Sequence, residues 1–191
     1  MDKLNKAIKF ATDAHDGQTR KLRTTPYILH PLEAASIAAT LTEDEDIMCA
    51  AVLHDTVEDT SVTMEDIKRE FGDRVAQLVA METENKRKHL SPECTWKIRK
   101  EESLQHLKES NDKAVKLLWL SDKLSNMRSI FDSYVKVGDE LFNEFHEKDK
   151  KQHEWYYSTI AELLRPYFEN TGAFKEYSEL VNYVFRWEVT K

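Results

Sequence analysis

A short acidic segment in the first third of the chain concentrates groups that bind metal ions or move protons. Residues 53–60 read LHDTVEDT and directly follow the apolar run 47–53, so one imidazole and three carboxylates lie within six residues. On helical geometry His54 lies one turn from Glu58, and Asp55 lies one turn from Asp59. Such anionic groups repel one another unless a positive charge neutralises them, and a divalent cation is the usual solution. An acidic solvated turn explains Glu58 and Asp59, but it does not explain a His-Asp pair at the inner edge of an apolar helix.

Two other polar residues interrupt apolar segments in the same way. His30 begins an Ala- and Ile-rich segment, and Asp122 lies inside the mainly apolar run 114–127. An unpaired carboxylate inside a core helix is costly. If both residues converge with His54 and Asp55, the four offer nitrogen and oxygen ligands that suit Mn, Fe, Co or Zn. Positions on the ion would remain open for water or substrate.

Each of these residues also has a structural interpretation. A histidine before a proline, such as His30, is often a hydrogen-bonded structural residue, and Asp122 can pair with Lys123 or a distant arginine. Single motif matches are weak, so the metal hypothesis depends on the whole set. His15 can hydrogen-bond at the end of the first helix. The other histidines lie in charged surroundings and are expected to be solvated: His89, His106, His146 and His153.

The composition limits the classes of protein to which the chain can belong. Its 191 residues suit one domain with a substantial core, and the low content of 4 Gly and 4 Pro favours long helices. A net charge of -7 argues against general nucleic-acid binding. Two cysteines offer no disulfide framework. The chain shows no apolar signal region and no run of 18 apolar residues, so no membrane association and a cytoplasmic location are expected.

Apolar residues at helical spacing, with turn and capping signals between them, predict an all-α fold. Five predicted helices lie in the first half of the chain: Leu4 to about His15, Leu32 to about Thr40, Asp46–Leu53, Met64–Phe71, and one that begins at Asp73. Two more are predicted from Thr95 to about Glu109 and through 114–127. Two or three further helices are predicted after Gly138. Thr63 and Asp66 resemble a capping box. The polar segment 82–95 is interpreted as a mobile loop. We expect a single domain over 1–191, with a motif-bearing core at about 1–135 and packing helices at about 136–191.

Four segments together resemble the HD-domain metal-dependent phosphohydrolases, and more narrowly the hydrolase domain of RelA/SpoT-type alarmone enzymes and their stand-alone relatives, such as the metazoan SpoT homologues. The segments are 20–31 with RK and PYILHP, 51–60 with AVLHDTVEDT, 71–79 with FGDRVAQLV, and 116–127 with KLLWLSDKLSNM. Their order and spacing make a chance match improbable. The resemblance implies a single HD-domain bundle of about eight to ten helices, with none of the synthetase or regulatory domains of the longer bifunctional enzymes.

The resemblance also implies roles for individual residues. One metal ion, usually manganese in this family, would be held by four residues: His30, His54, Asp55 and Asp122. The attacking water would be activated by Glu58 and Asp59. The substrate would be contacted by Arg20, Lys21 and Asn126, with looser correspondences for Lys86 and Arg99, and with Arg23 as a further phosphate contact.

The implied reaction is hydrolysis of the 3′-pyrophosphate of guanosine tetra- or pentaphosphate, which yields GDP or GTP and pyrophosphate. The sequence departs from the family pattern at Arg23-Thr24, where a small residue is usual, and at 82–86, where ETENK replaces VTDDK. Three alternatives stay open. The first is a phosphohydrolase that acts on another phosphorylated nucleotide, such as the 2′-phosphate of NADPH. The second is a non-catalytic nucleotide sensor, and the third is a structural helical protein. The sequence does not define an oligomeric state.

Overall fold

The computed structural model describes residues 2–21, 24–87 and 89–186, and within these ranges it is almost entirely helical. The first six helices are α1 (Asp2–Ala14), α2 (Leu29–Ala39), α3 (Glu45–Leu53), α4 (Thr56–Asp59), α5 (Met64–Phe71) and α6 (Asp73–Glu82). They are followed by α7 (Pro92–Glu109), α8 (Lys113–Val137), a 3-10 helix (Gly138–Glu144), α9 (Lys150–Phe168) and α10 (Gly172–Arg186). The one β-type pairing in the described ranges is a bridge between Thr19 and Pro26. The predicted all-α class is confirmed.

The core is organised around three helices that pack against one another, α2, α3 and α8. Helix α3 is buried from Ile47 to Leu53 apart from the partly buried Met48, because α1, α2, α6 and α8 surround it. Helix α10, the last described helix, lies along α8 and α9 and so packs onto the same central helix. Polar side chains at the ends or inside these helices are consequently brought into the interior.

Local sequence signals define several helix ends as predicted. The capping box is present: Thr63 Oγ1 accepts from the backbone N–H of Asp66, and the Asp66 carboxylate accepts from the backbone N–H of Thr63. Gly72 then ends α5 with a φ of 87°, a conformation that favours glycine. Between α3 and α4 the helix is interrupted at His54 and Asp55, which keeps both side chains at the end of the buried helix.

Several predicted boundaries differ from the structure, and the largest difference is in α8, which was predicted through 114–127 but continues to Val137. Helix α2 begins at Leu29 rather than Leu32, because a turn at 26–30 already brings the backbone into helical geometry. Helix α7 begins at Pro92, which fits the first turn because proline has no N–H to leave unbonded there. The predicted loop 82–95 therefore shortens to 83–91. No helix within the described ranges is long and apolar enough to cross a membrane.

Candidate functional site

Three central helices bring the four predicted metal ligands to one point. His30 lies in the first turn of α2, His54 and Asp55 follow α3, and Asp122 lies in the middle of α8. The Nε2 atom of His30 lies 3.0 Å from Oδ1 of Asp122 and 3.5 Å from Oδ2 of Asp55. The Nε2 atom of His54 lies 3.0 Å from Oδ2 of Asp55 and 3.4 Å from Oδ1 of Asp122. The predicted convergence is therefore present in the structure.

The rear of each imidazole is held by a hydrogen bond. Nδ1 of His30 lies 2.8 Å from Oγ of Ser125, and Nδ1 of His54 lies 2.8 Å from the carbonyl oxygen of Ala51. Because a carbonyl only accepts, the Nδ1 atom of His54 carries the proton. Its buried Nε2 atom has no hydrogen bond of normal geometry in the described part of the chain. The two Nε2 atoms and a carboxylate oxygen of Asp122 lie within 4.8 Å of one another, and this donor set fits a divalent cation. The Asp55 carboxylate lies beside them, 3.0 Å from Nε2 of His54 and 3.5 Å from Nε2 of His30.

The electrostatics of this cluster also favour a positive charge at its centre. Burial lowers the pKa of His54, but Asp55 and Asp122 outweigh burial and raise that pKa well above its usual value. Burial raises the pKa of Asp122, but Lys123 and His54 outweigh it and hold the pKa well below its usual value. Two carboxylates at this depth therefore stay ionised and need a cation beside them.

The predicted ion pair between Asp122 and Lys123 is also present, and it involves the second carboxylate oxygen of Asp122. The Lys123 ammonium contacts Oδ2 of Asp122, whereas Oδ1 faces the two imidazoles. Lys123 also lies 3.7 Å from Oε2 of Glu82. Burial raises the pKa of Glu82 to about 8. Glu82 was predicted to begin a polar loop, but it is the buried last residue of α6, and no sequence signal distinguished it.

Glu58 and Asp59 lie at the mouth of the metal cluster. The carboxylate of Glu58 accepts a 3.0 Å hydrogen bond from the backbone N–H of Glu84, and its Oε1 lies 3.4 Å from the Lys86 ammonium, which also contacts Asp59. Burial, followed by the charge of Asp55, raises the pKa of Glu58. A half-buried carboxylate with a raised pKa beside a metal cluster has the properties of a proton acceptor.

Tyr27 links the metal cluster to this carboxylate pair, and the sequence analysis did not assign it a role. Its hydroxyl donates to Oδ2 of Asp55 at 2.6 Å and lies 3.2 Å from Oδ2 of Asp59. Burial and the two neighbouring carboxylates raise the pKa of the phenol. The phenol therefore stays protonated and orients both acids. Its place within the PYILHP segment was the available signal.

A cavity of about 580 Å³ opens beside the carboxylate pair. Its wall includes seven of the predicted substrate and catalytic residues: Arg20, Lys21, Glu58, Asp59, Lys86, Arg99 and Asn126. Arg23 lies outside the described residues. The remainder of the wall is partly aromatic and aliphatic, with Trp96, Ile130, Phe145 and Tyr157. The cavity therefore joins a cationic region to an apolar one.

Four cationic side chains of this cavity are paired with protein groups: Arg20, Lys86, Arg99 and Lys100. Arg99 donates to Oε2 of Glu84 at 2.7 Å, and Lys100 donates to Oε1 of the same residue at 2.7 Å. Arg20 donates to Oδ1 of Asn126 at 3.2 Å, and that amide donates to Asp122. The region is thus a network in which acids hold bases in place. Glu84 was missed as an organising residue because its partners are 15 and 16 positions away.

The other histidines mostly do not take part in this site. His15 hydrogen-bonds Gln18 through Nδ1 at 2.9 Å, as predicted for the end of the first helix. The prediction that His153 is solvated is wrong: it is 4% exposed, and its Nε2 lies 2.8 Å from the carbonyl oxygen of Glu147. It packs against aromatic rings, including Trp96 at 5.3 Å between ring centroids.

Comparison with known proteins places this geometry in context. The family model of the HD domain matches residues 7–147. A guanosine-3′,5′-bis(diphosphate) 3′-pyrophosphohydrolase from Aquifex aeolicus (strain VF5) is 34% identical over 186 residues, which is 97% of this chain and 24% of that protein. The chain therefore spans about a quarter of the length of this curated relative.

Two solved structures are similar over most of the chain. One is described as a metazoan ortholog of SpoT that hydrolyses ppGpp and plays a role in starvation responses; it matches with a TM-score of 0.76 and 26% identity, over 96% of each chain. The other, from Listeria monocytogenes EGD-e, matches with a TM-score of 0.71 and 33% identity, over 83% of this chain and 99% of that one.

Proposed function

This chain belongs to the HD domain family, and on that premise we propose that it removes the 3′-pyrophosphate of guanosine tetra- or pentaphosphate. The products would be GDP or GTP and pyrophosphate. The observation that carries this proposal is the position of the carboxylate pair: Glu58 and Asp59 line both the cationic cavity and the smaller pocket that is lined by His30, Asp55 and Asp122. The relative from Aquifex aeolicus and the metazoan SpoT ortholog carry names that describe this chemistry.

The proposed metal ligands are His30, His54, Asp55 and Asp122, and the proposed ion is Mn²⁺. When bound, a dication of this kind acts as a Lewis acid and lowers the pKa of a water molecule toward neutrality. The ligand side chains are already oriented by hydrogen bonds: Nδ1 of each imidazole is bonded to Ser125 or to the carbonyl oxygen of Ala51, and the Tyr27 hydroxyl donates to Asp55.

In the proposed reaction a water oxygen bonds to the phosphorus attached to the 3′ oxygen, and the bond between that phosphorus and the 3′ oxygen breaks. Glu58 accepts the water proton, and a proton returns to the 3′ oxygen as the hydroxyl leaves. Burial raises the pKa of Glu58, which strengthens it as a base. Asp59 and the Lys86 ammonium lie beside it and fix its position.

The phosphate charge would be offset by the basic side chains of the cavity. Arg20, Lys21, Lys86 and Arg99 all line it, and arginine suits bidentate phosphate contact. Since Arg99 and Lys86 are paired with carboxylates, phosphate binding would exchange one anionic partner for another. Asn126, one turn after Asp122, would face the nucleotide.

The test is incubation of the purified chain with guanosine tetraphosphate, with Mn²⁺ or with a chelator, followed by chromatography of the products. We expect GDP and pyrophosphate only in the presence of Mn²⁺. NADPH, tested in parallel, addresses the alternative of a 2′-phosphatase, and release of its 2′-phosphate without turnover of guanosine tetraphosphate would replace the proposed substrate. Nucleotide binding without any product would contradict the proposed enzyme and favour a sensor.

A further inference from the structure

A line of polar side chains continues behind the metal-facing imidazole of His30. Nδ1 of His30 lies 2.8 Å from Oγ of Ser125, and the same hydroxyl donates to Oε2 of Glu33 at 2.6 Å. The other oxygen of Glu33 accepts from Arg128 at 3.0 Å. Arg128 in turn makes two hydrogen bonds to Glu176, of 2.6 and 2.7 Å. These contacts connect α2, α8 and α10.

The hydroxyl proton of Ser125 determines the direction of the hydrogen bonds. A serine hydroxyl has one proton, and an ionised carboxylate only accepts, so the Ser125 proton points to Glu33. The Ser125 oxygen must then accept from His30, which places the His30 proton on Nδ1. Nε2 is consequently the nitrogen that faces Asp122 and Asp55, which lie 3.0 and 3.5 Å away, and it is the atom at which a metal ion would take the place of a proton.

We propose that Ser125 and Glu33 are positioning residues that keep a proton on Nδ1 of His30 and so leave Nε2 as the nitrogen that can bind a metal ion. The metal-binding part of this inference rests on the proposed function. Partners of this kind, hydrogen-bonded to the far nitrogen of a metal-ligating histidine, fix its tautomer and its orientation. Without Ser125, Oδ1 of Asp122 at 3.0 Å is the nearest acceptor, and the ring would move its proton to Nε2.

Burial predicts a graded importance along this line. Ser125 is 1% exposed, and the His30 side chain is 2% exposed, so neither can replace its partner with water. The Glu33, Arg128 and Glu176 side chains are 38%, 37% and 41% exposed, and water and salt screen their contacts. The inner residues should therefore control the tautomer strongly, and Glu176 should contribute little.

The decisive measurement is the tautomer of His30 in the metal-free protein, read from long-range ¹H–¹⁵N correlation spectra at neutral pH. The wild type should show a proton on Nδ1. Ser125→Ala should show the Nε2–H form, and Ser125→Thr, which keeps a hydroxyl, should restore Nδ1–H. Glu33→Gln should give a mixture, because its amide can donate to Ser125 and reverse the direction.

Mn²⁺ titration of the same proteins gives a second readout that is independent of turnover. Ser125→Ala should weaken Mn²⁺ binding by about 10- to 100-fold, and Ser125→Thr should recover most of it. Ser121→Ala is the matched control, since Ser121 is equally buried on α8 but bonds only the carbonyl oxygen of Leu117 in the described structure. Ser121→Ala should change Mn²⁺ affinity by no more than about twofold, which is much less than the loss expected when a hydrogen-bond partner of a metal ligand is removed.

The two readouts separate the inference from the proposed function. An Nε2–H tautomer in the wild type, or an unchanged tautomer in Ser125→Ala, would overturn the positioning role even if the protein hydrolyses guanosine tetraphosphate. A wild-type protein that shows the Nδ1–H form but binds no Mn²⁺ would overturn the metal site of the proposed function, while the hydrogen-bond direction would stand. Equal Mn²⁺ affinity in the Ser125→Ala and wild-type proteins would overturn the link between the two.

Discussion

The two ends of the site are built in different ways. At the metal end, the side chains of His30, His54 and Asp122 are at most 4% exposed, and helices α2, α3 and α8 carry them. At the substrate end, Lys86 is 33% exposed and lies in the segment 83–91, and it pairs with Glu58 and Asp59 from the short helix α4. One end is fixed by packing, and the other is held by ion pairs.

This difference follows from what each end would have to do. Two buried carboxylates that must stay ionised beside one another need a bound cation and tightly packed side chains around them. A buried charge that loses its oppositely charged partner costs much more free energy than an exposed one. A region that binds and releases a highly charged ligand needs cations that can change partners at little energetic cost. The partly exposed ion pairs of Lys86 have this property because their net stabilisation is small. The more buried pairs of Glu84 stabilise the remainder of the cavity wall.

The largest effect is expected from removal of a metal ligand, and a metal end that tolerated this loss would contradict the difference between the two ends. Asp122→Asn keeps the shape of the side chain but removes the charge that faces both imidazoles. We expect Mn²⁺ affinity and turnover to fall together by more than about 100-fold, beyond the loss typical of residues that only support a ligand. Elemental analysis and pyrophosphate release measure the two quantities, and a variant that loses activity but keeps stoichiometric Mn²⁺ would exclude Asp122 as a ligand.

Glu58 lies between the two ends, and its substitution separates binding from chemistry. In Glu58→Gln the hydrogen bond from the Glu84 N–H can persist, but the side chain can no longer accept a proton. We expect turnover to fall by about 10²- to 10⁴-fold with Mn²⁺ affinity maintained. Single-turnover kinetics at saturating Mn²⁺ measure this loss, and a variant with its metal and its full rate would refute the role of base.

Glu84 gives a pH-dependent test of the substrate end. Burial raises its pKa, but Lys100, Lys123 and Arg99 outweigh burial and lower the pKa to about 2. Because the folded pKa lies below the unfolded value, the ionised carboxylate stabilises the protein above about pH 4.5, and this contribution disappears as the pH falls toward 2. Between pH 5 and pH 3 the wild type should lose on the order of 2 kcal/mol more than Glu84→Gln.

Urea unfolding at a series of pH values measures this difference. Glu101→Gln is the matched control, because Glu101 is a 55% exposed residue of α7 whose ion pair with Lys97 spans 4.0 Å. The control should follow the wild-type curve. Parallel curves for wild type and Glu84→Gln would show that the ion pairs of Glu84 contribute no pH-dependent stability.

How much of the site could be predicted from sequence follows the same division. His30, His54, Asp55 and Asp122 were found because each interrupts an apolar helical pattern, which is a local signal. The hydrogen bond between His30 and Ser125 spans 95 positions, and no local pattern shows which serine would face the ring.

The same reason explains the errors and omissions elsewhere. Most helices were predicted from periodicity and caps, with Met64–Phe71 correct at both ends because a capping box and a glycine define it. Glu82 was assigned to a polar loop, since its burial depends on the packing of α6 against α8. Tyr27 lay within a quoted segment, but its two carboxylate partners are 28 and 32 positions away.

Substitution of Lys86, at the substrate end, is expected to have the smallest effect of these changes. In Lys86→Gln the substrate loses a charged hydrogen-bond donor, and such a contact contributes about 1.5–3 kcal/mol when it forms. Lys86 must first leave Glu58 and Asp59, however, so the net loss should be a rise in KM of about 10-fold. The change also removes a positive charge that lowers the pKa of Glu58, so the acidic limb of the kcat profile should move to higher pH.

Arg87→Gln is the control, because Arg87 is the next residue but pairs with Glu102 instead. Steady-state kinetics across pH would distinguish them, and an unchanged KM with an unmoved acidic limb would show that Lys86 contacts neither the substrate nor the base.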